Sequence, residues 1–288
     1  MTPFITTPGS YEIPEKDYRE IPAFHYSMMR WLMKSPMHLK HYTENPEEPN
    51  EAMIFGSLVD TLALTPDLFP ARYVVLPQTY TDKKGAEKPF TLKSDTCKIV
   101  AAEYAASGKT VIKQAMLDDA KNIVIALRNH EKISRVIDSS RKQVALVWID
   151  SDTGLLCKAL LDMLSDEAIT DLKTTENASP RSFPTKINNF RYHIQGALYS
   201  DGFTALNNGL VLPYQIIASE TDAPYACAIY SLEPDSLFAG REIYKHYLNV
   251  YKDCLETGFW PGYSQFVEPI NIPPYALSKT LEEGIING

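Results

Sequence analysis

No stretch of about 18 consecutive apolar residues occurs in this chain, so neither a transmembrane helix nor a membrane partner is expected. Cysteine is scarce. Cys97, Cys157, Cys227 and Cys254 stand apart, without the paired spacing of a zinc site, a redox centre or a disulfide framework. Reduced thiols and a cytoplasmic location are therefore expected. The opening "MTPFITTPGSYEIPEKDY" carries acids and prolines but no apolar stretch of the kind a signal peptide needs. Basic residues are the minority, 28 Lys and Arg against 36 Asp and Glu, for a net charge of −8. That balance excludes a general basic coat for non-specific nucleic-acid binding, but not an enzyme whose positive groups line one channel. A G-x-x-x-x-G-K-[ST] loop is missing, so no helicase-type motor is expected. Internal repeats and low-complexity tracts are missing too.

What is present divides into two textures. Residues 1–20 are rich in Pro, Thr and acids and read as a loosely ordered N-terminal segment. Residues 25–135 read as mainly helical: "HYSMMRWLMKSPMHLKHYTENP" is a helix interrupted at Ser35-Pro36, and "NEAMIFGSLVDTLALTP" is a helix ended by Pro66. An exposed basic loop is expected over residues 80–93, then helices near 95–107 and 115–130. From residue 143 the pattern becomes βββαββα and runs to residue 258. Two apolar runs are joined by Asp-Ser-Asp-Thr-Gly, and "EAITDLKTT" is a third strand. "NNFRYHIQGALYSDGFTALN" is a helix opened by an Asn cap, followed by two strands and a long closing helix. Residues 266–288 form a Pro-rich tail. With no linker in sight, residues 1–288 read as one α/β (α+β) domain around one sheet.

The chemistry concentrates in "LLDMLSDEAITDLKTTENASP". Asp171 and Lys173 are two apart on a predicted strand and share a face, and a turn at Ser165–Glu167 brings Asp162 alongside. Two carboxylates and an ammonium at one strand edge suit a hard divalent cation and phosphodiester hydrolysis. On spacing alone the pattern is also what a chain with 36 acids supplies as an ordinary solvated strand edge. On the following helix Tyr192, Gln195 and Tyr199 share one face.

The block Asp162, Asp171-Leu172-Lys173 and Gln195-x-x-x-Tyr199 resembles the PD-(D/E)XK nuclease superfamily, in particular its RecB-like and RecE-like (exonuclease VIII type) branch. "WLMKSPMHLKHY", "FGSLVDTLALTP", "PYACAIYSLEP" and "TGFWPGYS" extend the likeness, with gaps, from about residue 25 to 265. Asp60 stands where that branch places a metal-binding His. Leu160 stands where many relatives carry an Arg.

The resemblance implies a restriction-endonuclease-like core, a central mixed sheet flanked by helices, with an N-terminal helical elaboration. It further implies that Asp162, Asp171, the Leu172 carbonyl and Asp60 hold Mg²⁺ or Mn²⁺, while Lys173 orients the attacking water and Gln195 positions Lys173, water or phosphate. Asp60 read without the family is an acid on a helix flank, and Tyr199 is either a core aromatic or a DNA-backbone contact. Arg181, Lys186, Arg191 and His193 either grip phosphates or form a solvated loop. The expected activity is a 5′→3′ exonuclease on linear double-stranded DNA ends, in phage-type recombination. Its expected partners are a homo-oligomeric ring (trimer or tetramer) and a single-strand annealing protein. An endonuclease or structure-specific repair or defence nuclease, and an inactive DNA-end-binding protein, are the alternatives.

Overall fold

A computed structural model describes residues 5–82, 84–91 and 93–275. The chain begins with β1 (Gly9–Tyr11), α1 (Glu15–Glu20), α2 (Tyr26–Leu32), α3 (Pro36–Glu44) and α4 (Glu51–Leu64). A 3₁₀ turn at Pro66–Leu68 leads to α5 (Phe69–Arg72), β2 (Tyr73–Val75), β3 (Thr79–Thr81) and β4 (Glu87–Pro89). Then come α6 (Asp95–Ala106), β5 (Thr110–Ile112), α7 (Gln114–Asn129) and α8 (Glu131–Ser139). The second half holds β6 (Arg141–Ile149), β7 (Leu156–Leu164), β8 (Ile169–Thr175), α9 (Phe183–Asn189), α10 (Tyr192–Leu206), β9 (Tyr214–Glu220), β10 (Cys227–Ser231) and α11 (Pro234–Thr257).

Six strands form one mixed sheet in the order β1-β6-β7-β8-β9-β10. Only β8 and β9 run parallel, and α9 and α10 make the crossover that a parallel pair requires. Strand alternation loads both faces with apolar side chains. Val144, Leu146 and Trp148 of β6 and Tyr214 and Ile216 of β9 pack with Phe24, α2, α3, α10 and α11. Leu172 and Ile217 point the other way, into the core made by α4, α7 and α8. The result is a sheet covered by helices on both sides, a mixed α/β architecture as the sequence led us to expect.

Local signals explain most helix ends. Ser35 caps α3 by accepting from the His38 N–H at 3.3 Å, and Asn50 caps α4 by accepting from Met53 at 2.9 Å. The N-terminal segment is a correction. Far from being loose throughout, residues 9–11 pair antiparallel with β6, and residues 15–20 form a helix. Its anchor is Lys158 of β7. That ammonium is almost fully buried and donates to the carbonyls of Tyr18, Arg19 and Ile21 at 2.9, 3.1 and 2.7 Å. Within the basic loop expected at 80–93, β3 and β4 form a small hairpin. Residues 83 and 92 of that loop, residues 1–4 and the tail residues 276–288 lie outside the described residues.

The expected Asn cap before α10 is also corrected. Asn188 and Asn189 end α9, and Arg191 at φ 61° occupies the cap position of α10 with no side-chain cap bond. A non-glycine residue in the left-handed region costs roughly 1–2 kcal/mol, so the break between these helices is held against a local preference.

Candidate active site

β7 and β8 pair only at Met163↔Thr170 and Leu164↔Ile169, next to their turn, and then part. Asp166 and Glu167 in that turn are exposed, as ordinary solvated turn acids. Beyond the split the ladder is replaced by a side chain: the Leu172 N–H donates to Asp162 Oδ2 at 3.0 Å. Asp162 lies two residues inside the end of β7, and its carboxylate fills the gap between the strands.

Asp171 and Lys173 share a face of β8, as their spacing predicts, and their side chains form an ion pair. Asp171 is buried, and its other oxygen accepts from Gln195 Nε2 at 2.9 Å. Lys173 also lies over the Tyr192 ring, 5.2 Å from its centroid. Tyr192 and Gln195, one turn apart on α10, thus hold the two ends of the Asp171–Lys173 pair. Asp60 approaches from α4, which packs on β8 with Gly56 beside Thr174.

Burial pushes the Asp162 carboxyl up to about 7, with the Asp171 charge adding to the effect. Asp60 is raised well above the usual carboxylate range by burial and then by Asp162, so the two carboxylates sense each other. Burial works against the Lys173 charge, but the carboxylates of Asp171 and Asp162 outweigh it and raise the ammonium's pKa. Lys173 is therefore a hydrogen-bond donor here and not a proton acceptor.

Among the described residues no three His, Cys, Asp or Glu side chains are gathered so as to hold an ion as they stand. Asp171 is engaged by Lys173 and Gln195, and Asp162 by the Leu172 N–H. The donor chemistry nevertheless fits a divalent cation. Three oxygen-bearing acids, Asp60, Asp162 and Asp171, repel one another around one ammonium, and their ligand type is that of Mg²⁺ or Mn²⁺.

Of the two readings of Tyr199, the burial of its side chain in the core among α10 and α11 fits the core aromatic. His193 is buried as well, and burial lowers its pKa, so it is no phosphate grip. Arg181, just before α9, and Arg191, at the cap position of α10, are exposed, whereas Lys186 is paired with Glu176 at 2.7 Å. Sequence reasoning missed the contribution of the N-terminal segment. Burial is the main reason that the Asp60 carboxyl and the Tyr199 hydroxyl are raised, and Glu15 of α1 adds to the first and Tyr18 to the second. No local spacing signals either residue.

No curated protein matches the chain. Among solved structures, a candidate exonuclease from Eubacterium rectale aligns over 93% of this chain and 98% of its own, at 17% identity with a TM-score of 0.60. An alkaline exonuclease from Laribacter hongkongensis aligns over 67% of this chain and 97% of its own, at 13% identity with a TM-score of 0.28. The first of these is a likeness of fold. Among the described residues, no helix is long and apolar enough to cross a membrane. Residues 26–271 match the family described as a PDDEXK-like domain of unknown function (DUF3799). With the split strands and the Asp162, Asp171-x-Lys173 set in place, the chain belongs to that PDDEXK-like family.

Proposed function

We propose that this chain is a divalent-metal-dependent exonuclease that degrades one strand of linear double-stranded DNA in the 5′→3′ direction, in phage-type homologous recombination in the cytoplasm. The observation that carries the reading is the joint placement of Asp162, Asp171, Lys173 and Gln195 at the point where β7 and β8 part. Family membership supports a nuclease. Preference for ends, polarity, a trimeric or tetrameric ring and a single-strand annealing partner rest on the RecE-like resemblance of the motif block.

Asp162, Asp171, the Leu172 carbonyl and Asp60 would hold Mg²⁺ or Mn²⁺, which would supply Lewis-acid polarisation of the phosphate. The chain's own groups do the rest. Lys173, held protonated by two carboxylates, donates to the attacking water or to a phosphate oxygen and stabilises charge as it develops. Gln195 fixes the orientation of Asp171 and so of the Asp171–Lys173 pair. Tyr192 limits the directions in which the ammonium can point. Arg181 before α9 and Arg191 at the cap of α10 stand exposed, where duplex phosphates can meet them.

The test is release of label from linear duplex DNA marked at one 5′ or one 3′ end, beside a covalently closed circle. Early release of the 5′ label with intact circles supports the full reading. Cut circles move it to an endonuclease, and early release of the 3′ label reverses the polarity.

A further inference from the structure

A cleft of about 1030 Å³ opens between α1, α5 and the start of α4. Its lining includes Lys16, Arg19, Ser57, Arg72 and Leu160. Ser57 precedes Asp60 by about one helical turn on α4. Leu160 precedes Asp162 by two residues on β7. The cleft therefore comes within about one helical turn of Asp60 and two residues of Asp162, and none of its lining residues belongs to α10.

In a chain of net charge −8, this wall carries Lys16, Arg19 and Arg72 beside Glu15 and Glu47, with Glu15 paired to both arginines, so one positive charge is left in excess. Arg72 is fixed from two sides. Its Nη2 lies 3.1 Å from Glu15 Oε2, and its Nη1 donates to Thr61 Oγ1 at 3.3 Å, next to Asp60 in sequence. Thr61 is buried, and the Arg72 side chain is 30% exposed, so the guanidinium is held through its two terminal nitrogens while part of it stays open to the cleft. Its Nε–H has no partner among the described residues. Glu15 is itself held, because Lys158 clamps the carbonyls at the end of α1 onto β7. A long side chain immobilised in this way loses little entropy on binding, and a planar guanidinium matches a phosphate oxygen pair.

We propose that this cleft takes the substrate strand on the α1 side of the centre and that Arg72 binds one of its phosphodiester groups. The inference rests on the nuclease reading above.

The experiment measures affinity and its salt dependence for linear duplex DNA, with full-length protein carrying Lys173→Ala so that no cutting occurs. Adding Arg72→Ala weakens binding about tenfold or more and lowers the salt slope by about one. Arg72→Lys restores the slope but only part of the affinity. Arg135→Ala, an exposed arginine on α8, leaves both unchanged. Thermal melts accompany each variant. Should Arg72→Ala fail to fold, Arg72→Gln carries the test, since it keeps most of the aliphatic stem and a polar end but no charge. A folded Arg72 variant that binds DNA with the affinity and slope of its parent overturns this inference alone. A Lys173→Ala parent that binds no DNA overturns the nuclease reading and this inference together.

Discussion

Gly240 sets how closely α11 lies on α10, and Gly240→Ala tests that approach. A Cβ at this position would sit 2.2 Å from the His193 carbonyl oxygen, 2.6 Å from its carbon and 3.0 Å from the Ile194 nitrogen. A relaxed carbon–oxygen contact lies at about 3.3–3.6 Å, so the helices must part by roughly 1 Å. All three atoms belong to the backbone, and no rotamer change can relieve the clash. Forced overpacking of this kind costs about 1–3 kcal/mol, while helix propensity favours alanine by up to about 1 kcal/mol. The net effect is destabilising, with a melting temperature lower by several degrees, at about 2–4 °C per kcal/mol for a chain near this size. The damage reaches the site because α10 carries Gln195, whose bond to Asp171 is 2.9 Å long. A shift of about 1 Å breaks that bond and lowers the cleavage rate by about tenfold or more. Calorimetric melting and single-turnover cleavage of linear duplex measure the two effects. A Gly240→Ala protein as stable as its parent, or more so, would refute this account of the α10–α11 crossing.

Three other outcomes are expected. Asp162→Asn keeps an oxygen for the Leu172 N–H but removes a carboxylate whose pKa is pushed to about 7, so the metal-free variant is more stable than the parent at pH 8. The ceiling is about 4 kcal/mol, and partial exposure brings it to a couple. The sign follows from a raised acid: the parent loses stability as pH rises from about 4 to about 7, and urea titrations of the variant lack that loss. His25 is the opposite case, since burial lowers its pKa to about 4. Its neutral form stabilises the fold fully above about pH 6.5, and up to about 3 kcal/mol is lost as pH falls to about 4. Urea denaturation across that window shows the loss, and His25→Asn flattens it. Gln195→Glu, which sets a second acid against Asp171, cuts linear duplex more slowly than Gln195→Ala in single-turnover assays. Equal rates would remove the Gln195–Asp171 bond from the account.

Much of the second half was legible because its signals are local. The apolar runs of β6 and β7 around the Asp-Ser-Asp-Thr-Gly turn, the i, i+2 spacing of Asp171 and Lys173, and the shared face of Tyr192 and Gln195 need no knowledge of distant partners. The parting of β7 from β8 was not legible, since strand patterns do not announce where a ladder stops. Asp60 meets Asp162 across about a hundred residues of chain, and only resemblance to a family brought them together. The three-residue β1 and the short α1 lack periodicity, and the Lys158 clamp that orders α1 comes from a distant strand. By contrast α8 carries a stripe in Ile133, Val136 and Ile137 that is readable from its helical spacing alone. Arg191 in a left-handed cap has no sequence signal, because glycine or asparagine is the usual occupant there.

The central claim is that the Asp162, Asp171, Lys173 cluster hydrolyses DNA with a divalent cation. Its most direct test is cleavage of linear duplex DNA by the full chain with Mg²⁺ or Mn²⁺, with chelator, and by Lys173→Ala, with DNA binding followed in parallel. The account predicts cleavage with metal, none with chelator, and none from Lys173→Ala, which still folds and binds DNA. Cleavage that survives Lys173→Ala or the chelator, or a folded parent that binds DNA and cuts nothing with either metal, would contradict it.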